Sequence, residues 1–225
     1  ILYGIQGTGN GHITRSRLLI PSLRKKGFNV DVLLSGRKKD EYWDMECFRP
    51  YDTKFGITFQ VANGTVNKWK TIKKLKLKQF WTDLKSIDSK SYDIIITDYE
   101  PISAWAAKKN GILSIGIGHL YSFLYNVPMQ NGFFLDKKIM NWFVPVDIPI
   151  GLHWHHFGQN ILPPVIPQLK GKVTNEDFVV VYLPWENPNL VESVLNKISD
   201  KVFYVYGHTS EKIVRDNIIW KPSSR

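Results

Sequence analysis

Cysteine is nearly missing from this chain. Cys47 is the only one, so there is no internal disulfide framework and no thiolate cluster to hold a metal. Long apolar runs are missing too; nothing approaches the ~20 residues that a membrane-crossing helix needs. The opening Ile1-Leu2-Tyr3-Gly4 reads as a strand entering a loop rather than a basic leader, so no signal peptide is expected. These features point to a cytosolic protein. Acidic residues are also scarce, 20 against 30 Lys and Arg, for a net charge of +10. That excess implies an anionic partner: a nucleotide phosphate, nucleic acid or acidic lipid.

Apolar residues make up 43% of the 225 residues, enough for a buried core in one large or two modest domains. Residues 1–6 form a short apolar run that ends in glycines, a buried strand and a tight turn. Residues 12–26 carry Ile13, Leu18, Leu19, Ile20 and Leu23 at helical spacing, with Gly27 as the stop. A strand over 28–34 follows. Strand, glycine loop, helix, strand is a crossover, which requires a parallel sheet. Further strands are expected over 55–61, 92–97 and 112–117, with a turn at Asn63-Gly64. Helices are expected over 67–87 and 102–109, the second stopped by Asn110-Gly111.

Pro163-Pro164-Val165-Ile166-Pro167 interrupts this alternation with a stiff, extended segment. A second α/β unit then begins, with strands over 178–183 and 202–206 and a helix over 189–198. Two strands in about fifty residues cannot bury a normal independent core, so an incomplete second domain is expected. The expected division is a Rossmann-like domain over 1–162, a linker over 163–177 and the start of a second domain over 178–225.

The chemistry concentrates at strand ends. Gly7-Thr8-Gly9-Asn10-Gly11-His12 is not the dinucleotide fingerprint, because the final glycine position is His12, and no P-loop Gly-Lys-Ser/Thr follows. Its small residues let a ligand approach the backbone at the carboxyl edge of a sheet. His12 at the first turn of the helix is placed to act as a general base on a hydroxyl, a role worth about 10²–10⁴ in rate. Asp98-Tyr99-Glu100-Pro101 ends another strand at the same edge. One of its carboxylates is expected to orient His12 through the second ring nitrogen or to take a proton itself. The alternative for Asp98 or Glu100 is a helix N-cap. His119 ends the next strand, and for it the alternative is a packed ring.

G-x-G-x-G-H followed by R-x-R-x-L-x-x-x-L resembles the N-terminal half of GT-B glycosyltransferases. That group includes the enzyme that adds N-acetylglucosamine to lipid I in peptidoglycan synthesis. The stretches "DYEPISAWAAKKNGI", "GIGHLYSFL", "GLHWHHFGQNILPP" and "VVVYLPWENP" resemble, in order along the whole chain, a microbial family of glycosyltransferase-like proteins. The resemblance implies a GT-B type α/β fold: two Rossmann-like domains with parallel sheets, the first taking the acceptor and the second a nucleotide-sugar. It implies no cofactor and no bound metal, with positive groups and helix dipoles stabilising the departing diphosphate. His12, Asp98 and Glu100 become the expected catalytic set. Gly7, Thr8, Gly9, Asn10, Gly11, Arg15, Tyr99, His119 and His153 become the expected substrate contacts.

The stretch from Asn67 to Lys78, "NKWKTIKKLKLK", reads as a basic amphipathic helix with Trp69, Ile72, Leu75 and Phe80 on one stripe. It fits a peripheral contact with an anionic membrane, at ~1 kcal/mol per lysine near the surface, and equally a solvated helix whose stripe faces the core. His153-Trp154-His155-His156 suggests metal at first sight, but neighbouring positions rarely converge on one ion. It reads better as a segment near the cleft. Trp142, Trp154 and Trp185 could stack on sugar faces or pack in the core.

The expected function is therefore transfer of a sugar, hexosyl or N-acetylhexosaminyl, from a nucleotide-diphosphate carrier to a hydroxyl. The acceptor would be a sugar, lipid or polysaccharide, and the place the cytoplasmic face of the cell envelope. A nucleotide-sugar epimerase on the same fold is one alternative. A basic, non-catalytic membrane- or nucleic-acid-binding module is another, although no nucleic-acid motif appears and no nucleic-acid partner is expected.

Overall fold

The structure is a computed structural model that describes residues 1–57, 61–62, 65–66, 76–129, 134–168, 171–184 and 186–222. The chain divides into two compact units. One comprises Ile1–Thr58 and Leu75–Gln168, the other Phe59–Lys74 and Leu169–Arg225.

The first unit is built on a seven-stranded sheet whose pairings are all parallel. Its strands are β1 (Leu2–Gln6), β2 (Asp31–Ser35), β3 (Tyr51–Lys54), β6 (Ile94–Asp98), β7 (Leu113–Gly118), β8 (Ile148–Leu152) and β9 (Ile161–Leu162). The spatial order is β3-β2-β1-β6-β7-β8-β9. The chain runs outward from β1 through β2 to β3, then returns to add β6 on the other side of β1. The order therefore reverses between β1 and β6, and at such a switch point the connections leave a crevice at the carboxyl ends of the strands.

Both faces of this sheet are covered, as all-parallel sheets require. Helix α1 (Asn10–Lys25) packs Ile13 and Ile20 with Tyr3, Ile5, Val32, Leu34 and Phe48. On the other face, α2 (Leu77–Lys85) and α3 (Pro101–Asn110) pack Phe80, Leu84, Ile102, Ala106 and Ala107 against Leu2, Leu33 and Ile95. Gly4 makes the close approach of α3 possible: a Cβ there would stand 2.0 Å from Ser103 Oγ. Helix α4 (Phe134–Phe143) precedes β8.

The second unit holds a four-stranded sheet, β10 (Phe178–Tyr182), β11 (Val202–Tyr206), β13 (Ile218–Lys221) and β12 (Ile213–Arg215), and helix α5 (Pro188–Leu195). The first three strands are parallel and β12 pairs antiparallel with β13. Val191 and Leu195 of α5 bury with Phe203, Val205, Ile218 and Trp220. A two-stranded ladder, β4 (Val61–Ala62) with β5 (Thr65–Val66), completes the described strands.

Several expected elements shift. Of the strand expected over 55–61, residues 55–57 are not strand, residues 58–60 lie outside the described residues and Val61 belongs to β4, while β3 at 51–54, polar but paired to β2, was not expected. Two strands expected after residue 178 become four. The long basic helix expected over 67–87 is described only as α2 from Leu77. The turn at Asn63-Gly64, residues 67–75 with Trp69, Ile72 and Leu75, and Trp185 lie outside the described residues.

Candidate functional site

At the switch point between β1 and β6, side chains from the sheet and from α1 meet. Asp98 is the last residue of β6, in register with Ile5 of β1. His12 and Arg15 lie on the first turns of α1, which follows β1. Their i, i+3 spacing puts them on one helix face, and that face meets Asp98. His12 Nδ1 stands 2.7 Å from Asp98 Oδ1. Arg15 donates from Nε to Oδ2 at 2.5 Å and from Nη2 to Oδ1 at 2.8 Å. Asp98 is fully buried, while the side chains of His12 and Arg15 remain 18% and 16% exposed. Burial works against the Arg15 charge, but the Asp98 charge and hydrogen bonds outweigh it and hold the guanidinium above the ordinary arginine value.

In the tautomer that suits the 2.7 Å contact with a carboxylate oxygen, the proton stands on Nδ1 and is donated to Oδ1. That leaves Nε2 with its lone pair. Arg15 Nη2 also lies 2.8 Å from Nδ1, so a permanent cation borders the same nitrogen. Gly118, the last residue of β7, closes the site from the next strand: a Cβ there would stand 3.0 Å from Asp98 Oδ1 and 3.4 Å from Arg15 Nη2.

Glu100 has a different job from the catalytic one expected of it. It is fully buried at the N-cap of α3. Its Oε1 accepts from Ile102 N at 2.9 Å and Ser35 Oγ at 2.7 Å, and its Oε2 from Ser103 N at 2.6 Å. Burial pushes its carboxyl above the ordinary value, against the pull of those donors. Tyr99, expected as a substrate contact, is buried. Its ring is buried against Tyr121 and Phe143, with centroids 5.6 and 5.8 Å away, and its φ is +57°. Arg15, expected as a substrate contact, grips Asp98.

The glycine loop is held from outside. Arg37 Nη2 donates to Thr8 O at 2.7 Å and Asn10 Oδ1 at 2.9 Å. Gly7 is covered: a Cβ there would meet Tyr42 Oη at 2.1 Å and Ser35 O at 2.8 Å. Gly9 is the N-cap of α1, and a Cβ on it would stand 3.3 Å from the His12 ring. Gly11 faces open space. Of the loop, Thr8, Gly9, Asn10 and Gly11 reach the surface and Gly7 does not.

His119 follows Gly118 directly. Its Nδ1 donates to Leu152 O at 3.0 Å, and its ring stacks on His153 at 5.8 Å and 17°. Phe157 also lies against His153, with centroids 5.3 Å apart. The histidine run folds on itself. Nδ1 of His153, His155 and His156 each accepts the backbone N–H two residues on. Those bonds fix the proton on Nε2 in all three rings, and among the described residues no group of three His, Cys, Asp or Glu side chains is arranged to hold a metal. Trp154 is exposed, and Trp142 packs edge-on against Trp105. Sequence reasoning missed Gly118, Arg37 and Tyr42; the repeat of G-x-G-H at residues 9–12 and 116–119 marks Gly118.

The chain belongs to glycosyl transferase family 1, whose family model matches residues 1–225, and its fold is of the GT-B type. Among solved structures it is similar to Os79 T291V from O. sativa in complex with UDP, at TM-score 0.58 and 10% identity over 94% of this chain and 68% of that one. It is similar to the glycotransferase of kitacinnamycin at TM-score 0.56 and 12% identity, over 97% of this chain and 69% of that one. Against MurG of Acinetobacter baumannii the TM-score is 0.47 with 11% identity; the match covers 93% of this chain, which spans only 61% of that one. No curated protein matches the chain. No described helix is long and apolar enough to cross a membrane.

Proposed function

We propose that the chain is the acceptor-activating part of a glycosyltransferase that moves a sugar from a nucleoside-diphosphate carrier to a hydroxyl. The observation that carries this reading is the 2.7 Å contact between His12 Nδ1 and Asp98 Oδ1, at the sheet's switch point in a member of this family. His12 Nε2 takes the proton of the acceptor hydroxyl. The oxygen bonds to the anomeric carbon, the bond from that carbon to the diphosphate breaks, and the nucleoside diphosphate leaves with the electron pair. Asp98 orients the ring. The stacked rings of His119 and His153 are the surface we assign to carrying the acceptor.

A nucleoside-diphosphate donor is supported by the likeness to Os79, solved in complex with UDP. Positive groups meet the departing diphosphate, and the reading needs no metal. A sugar carried on a lipid or in the cell envelope suits the basic surplus of the chain, and acceptors of that kind belong in the assay. The test is release of nucleoside diphosphate from a panel of nucleotide-sugars, each with and without sugar, lipid-linked and phenolic acceptors. Acceptor-dependent release that falls at least a hundredfold in His12→Ala supports the reading. Conversion of the donor without acceptor replaces it with epimerisation, and His12→Ala at wild-type rate removes His12 as the base.

A further inference from the structure

The carboxylate that orients His12 is not His12's alone. Asp98 accepts from Nδ1 on Oδ1 while Arg15 holds both of its oxygens, and Arg15 Nη2 lies as close to Nδ1 as a hydrogen bond would bring it. Before His12 titrates, the −1 of Asp98 and the +1 of Arg15 already cancel. The other titratable groups that feel Asp98 are the hydroxyls of Tyr3, from β1, and Tyr121, from the turn after β7. Burial holds both far above the ordinary tyrosine value and therefore neutral. The positive end of α1 adds to the cationic side of the balance.

We infer that Arg15 is a positioning residue of the His12–Asp98 pair. It fixes the plane of the carboxylate so that Oδ1 faces Nδ1, and it sets a permanent positive charge beside the same ring nitrogen. The inference rests on the glycosyl-transfer reading for its functional meaning. Its physical content does not need turnover. A guanidinium is required for the two-pronged grip, since a lysine supplies a point charge without the fork.

The experiment follows the ¹⁵N shifts of the His12 imidazole against pH in the wild type, Arg15→Met and Arg15→Lys. Arg15→Met is expected to raise the His12 midpoint by about one pH unit or more. The acid limb of kcat/KM should move the same way. Arg15→Lys is expected to return the midpoint towards the wild type while transfer stays reduced, because the charge is kept and the grip is not. If Arg15→Met does not fold, Arg15→Gln carries the same test, since it is neutral yet keeps an N–H donor for Asp98. A midpoint that does not move in a folded neutral variant overturns the inference. The titration is read without substrate, so the inference can fail while His12→Ala still abolishes transfer, and it can stand if transfer proves to be something else.

Discussion

Replacing Asp98 by asparagine separates what the carboxylate does for the fold from what it does for the base. The two side chains have nearly the same shape, but an amide offers one acceptor where the carboxylate offers two. Oδ1 receives His12 Nδ1 and Arg15 Nη2, and Oδ2 receives Arg15 Nε. If the amide oxygen keeps the first place, its NH₂ faces the Nε–H of Arg15. If it takes the second, the NH₂ faces Nδ1, which must give up its proton to accept, and the proton then occupies Nε2. Either arrangement also leaves Arg15 charged without its counter-ion. Removing one partner of a buried pair costs about 3–5 kcal/mol; Arg15 is 16% exposed, so water recovers part of that and the low end, ~3 kcal/mol, is expected. For a chain of this size such a loss lowers Tm by about 6–12 °C. Transfer per folded molecule should fall by about 10²–10⁴. Thermal melts and single-turnover transfer measure the two effects. His12→Ala is the comparison, since it should lose the rate and keep most of the stability. Asp98→Asn with an unchanged Tm and more than a tenth of wild-type turnover would refute the reasoning.

Other substitutions probe the surroundings. Gly118→Ala puts a methyl 3.0 Å from Asp98 Oδ1, so turnover should fall about tenfold while circular dichroism stays unchanged. Gly7→Ala meets both Tyr42 Oη and the Ser35 carbonyl; overpacking of this kind costs about 1–3 kcal/mol, and because the backbone oxygen remains, adding Tyr42→Phe should not restore the melt. Glu100→Ala uncaps α3 and strands the Ser35 hydroxyl, for a loss of about 2–4 kcal/mol in urea unfolding. With its carboxyl raised by burial, Glu100 binds its proton more tightly folded than unfolded. Its contribution is then fully present below the unfolded value of about 4.3 and declines as pH rises through the folded one. The wild-type advantage over Glu100→Gln should therefore shrink with rising pH; an advantage that grows would show the opposite shift.

Much of the first unit was legible because buried parallel strands are nearly continuous apolar runs and the helix between β1 and β2 carries its own stop. Gly27 and Gly111 have φ of +90° and +66°, the backbone that helix ends favour in glycine. Strand β3 was not legible, since Tyr51-Asp52-Thr53-Lys54 has no apolar face of its own and is defined by pairing with β2. Nor was β8, where Pro149 argues against a strand by local rules and is accommodated opposite Gly116. Short strands β12 and β13 depend on a two-residue turn at Asp216-Asn217, with Asp216 at φ +48°, a signal easily passed over without glycine. The site was legible in kind: a histidine after a glycine loop, and acids at a strand end. The partner of each group was not, because Arg15 and Asp98 are 83 residues apart in sequence and no spacing rule joins them.

The division of labour between Asp98 and Glu100 shows why. On a continuing strand, residues two apart point to the same side, and both carboxylates would face the crevice. Tyr99 breaks that alternation by taking a left-handed backbone at φ +57°, a conformation that costs a bulky residue on the order of 1–3 kcal/mol. Its ring, wedged against Tyr121 and Phe143, gives back contact that offsets the cost. With the chain reversed at this point, Asp98 looks back across β1 to His12 and Arg15, and Glu100 turns under the first turn of α3 to accept its free N–H groups. One acid therefore meets a partly open imidazole and the other is sealed among backbone donors. The assignment of the orienting carboxylate depends on a single backbone angle between them, and that angle is set by packing around an aromatic ring rather than by either acid.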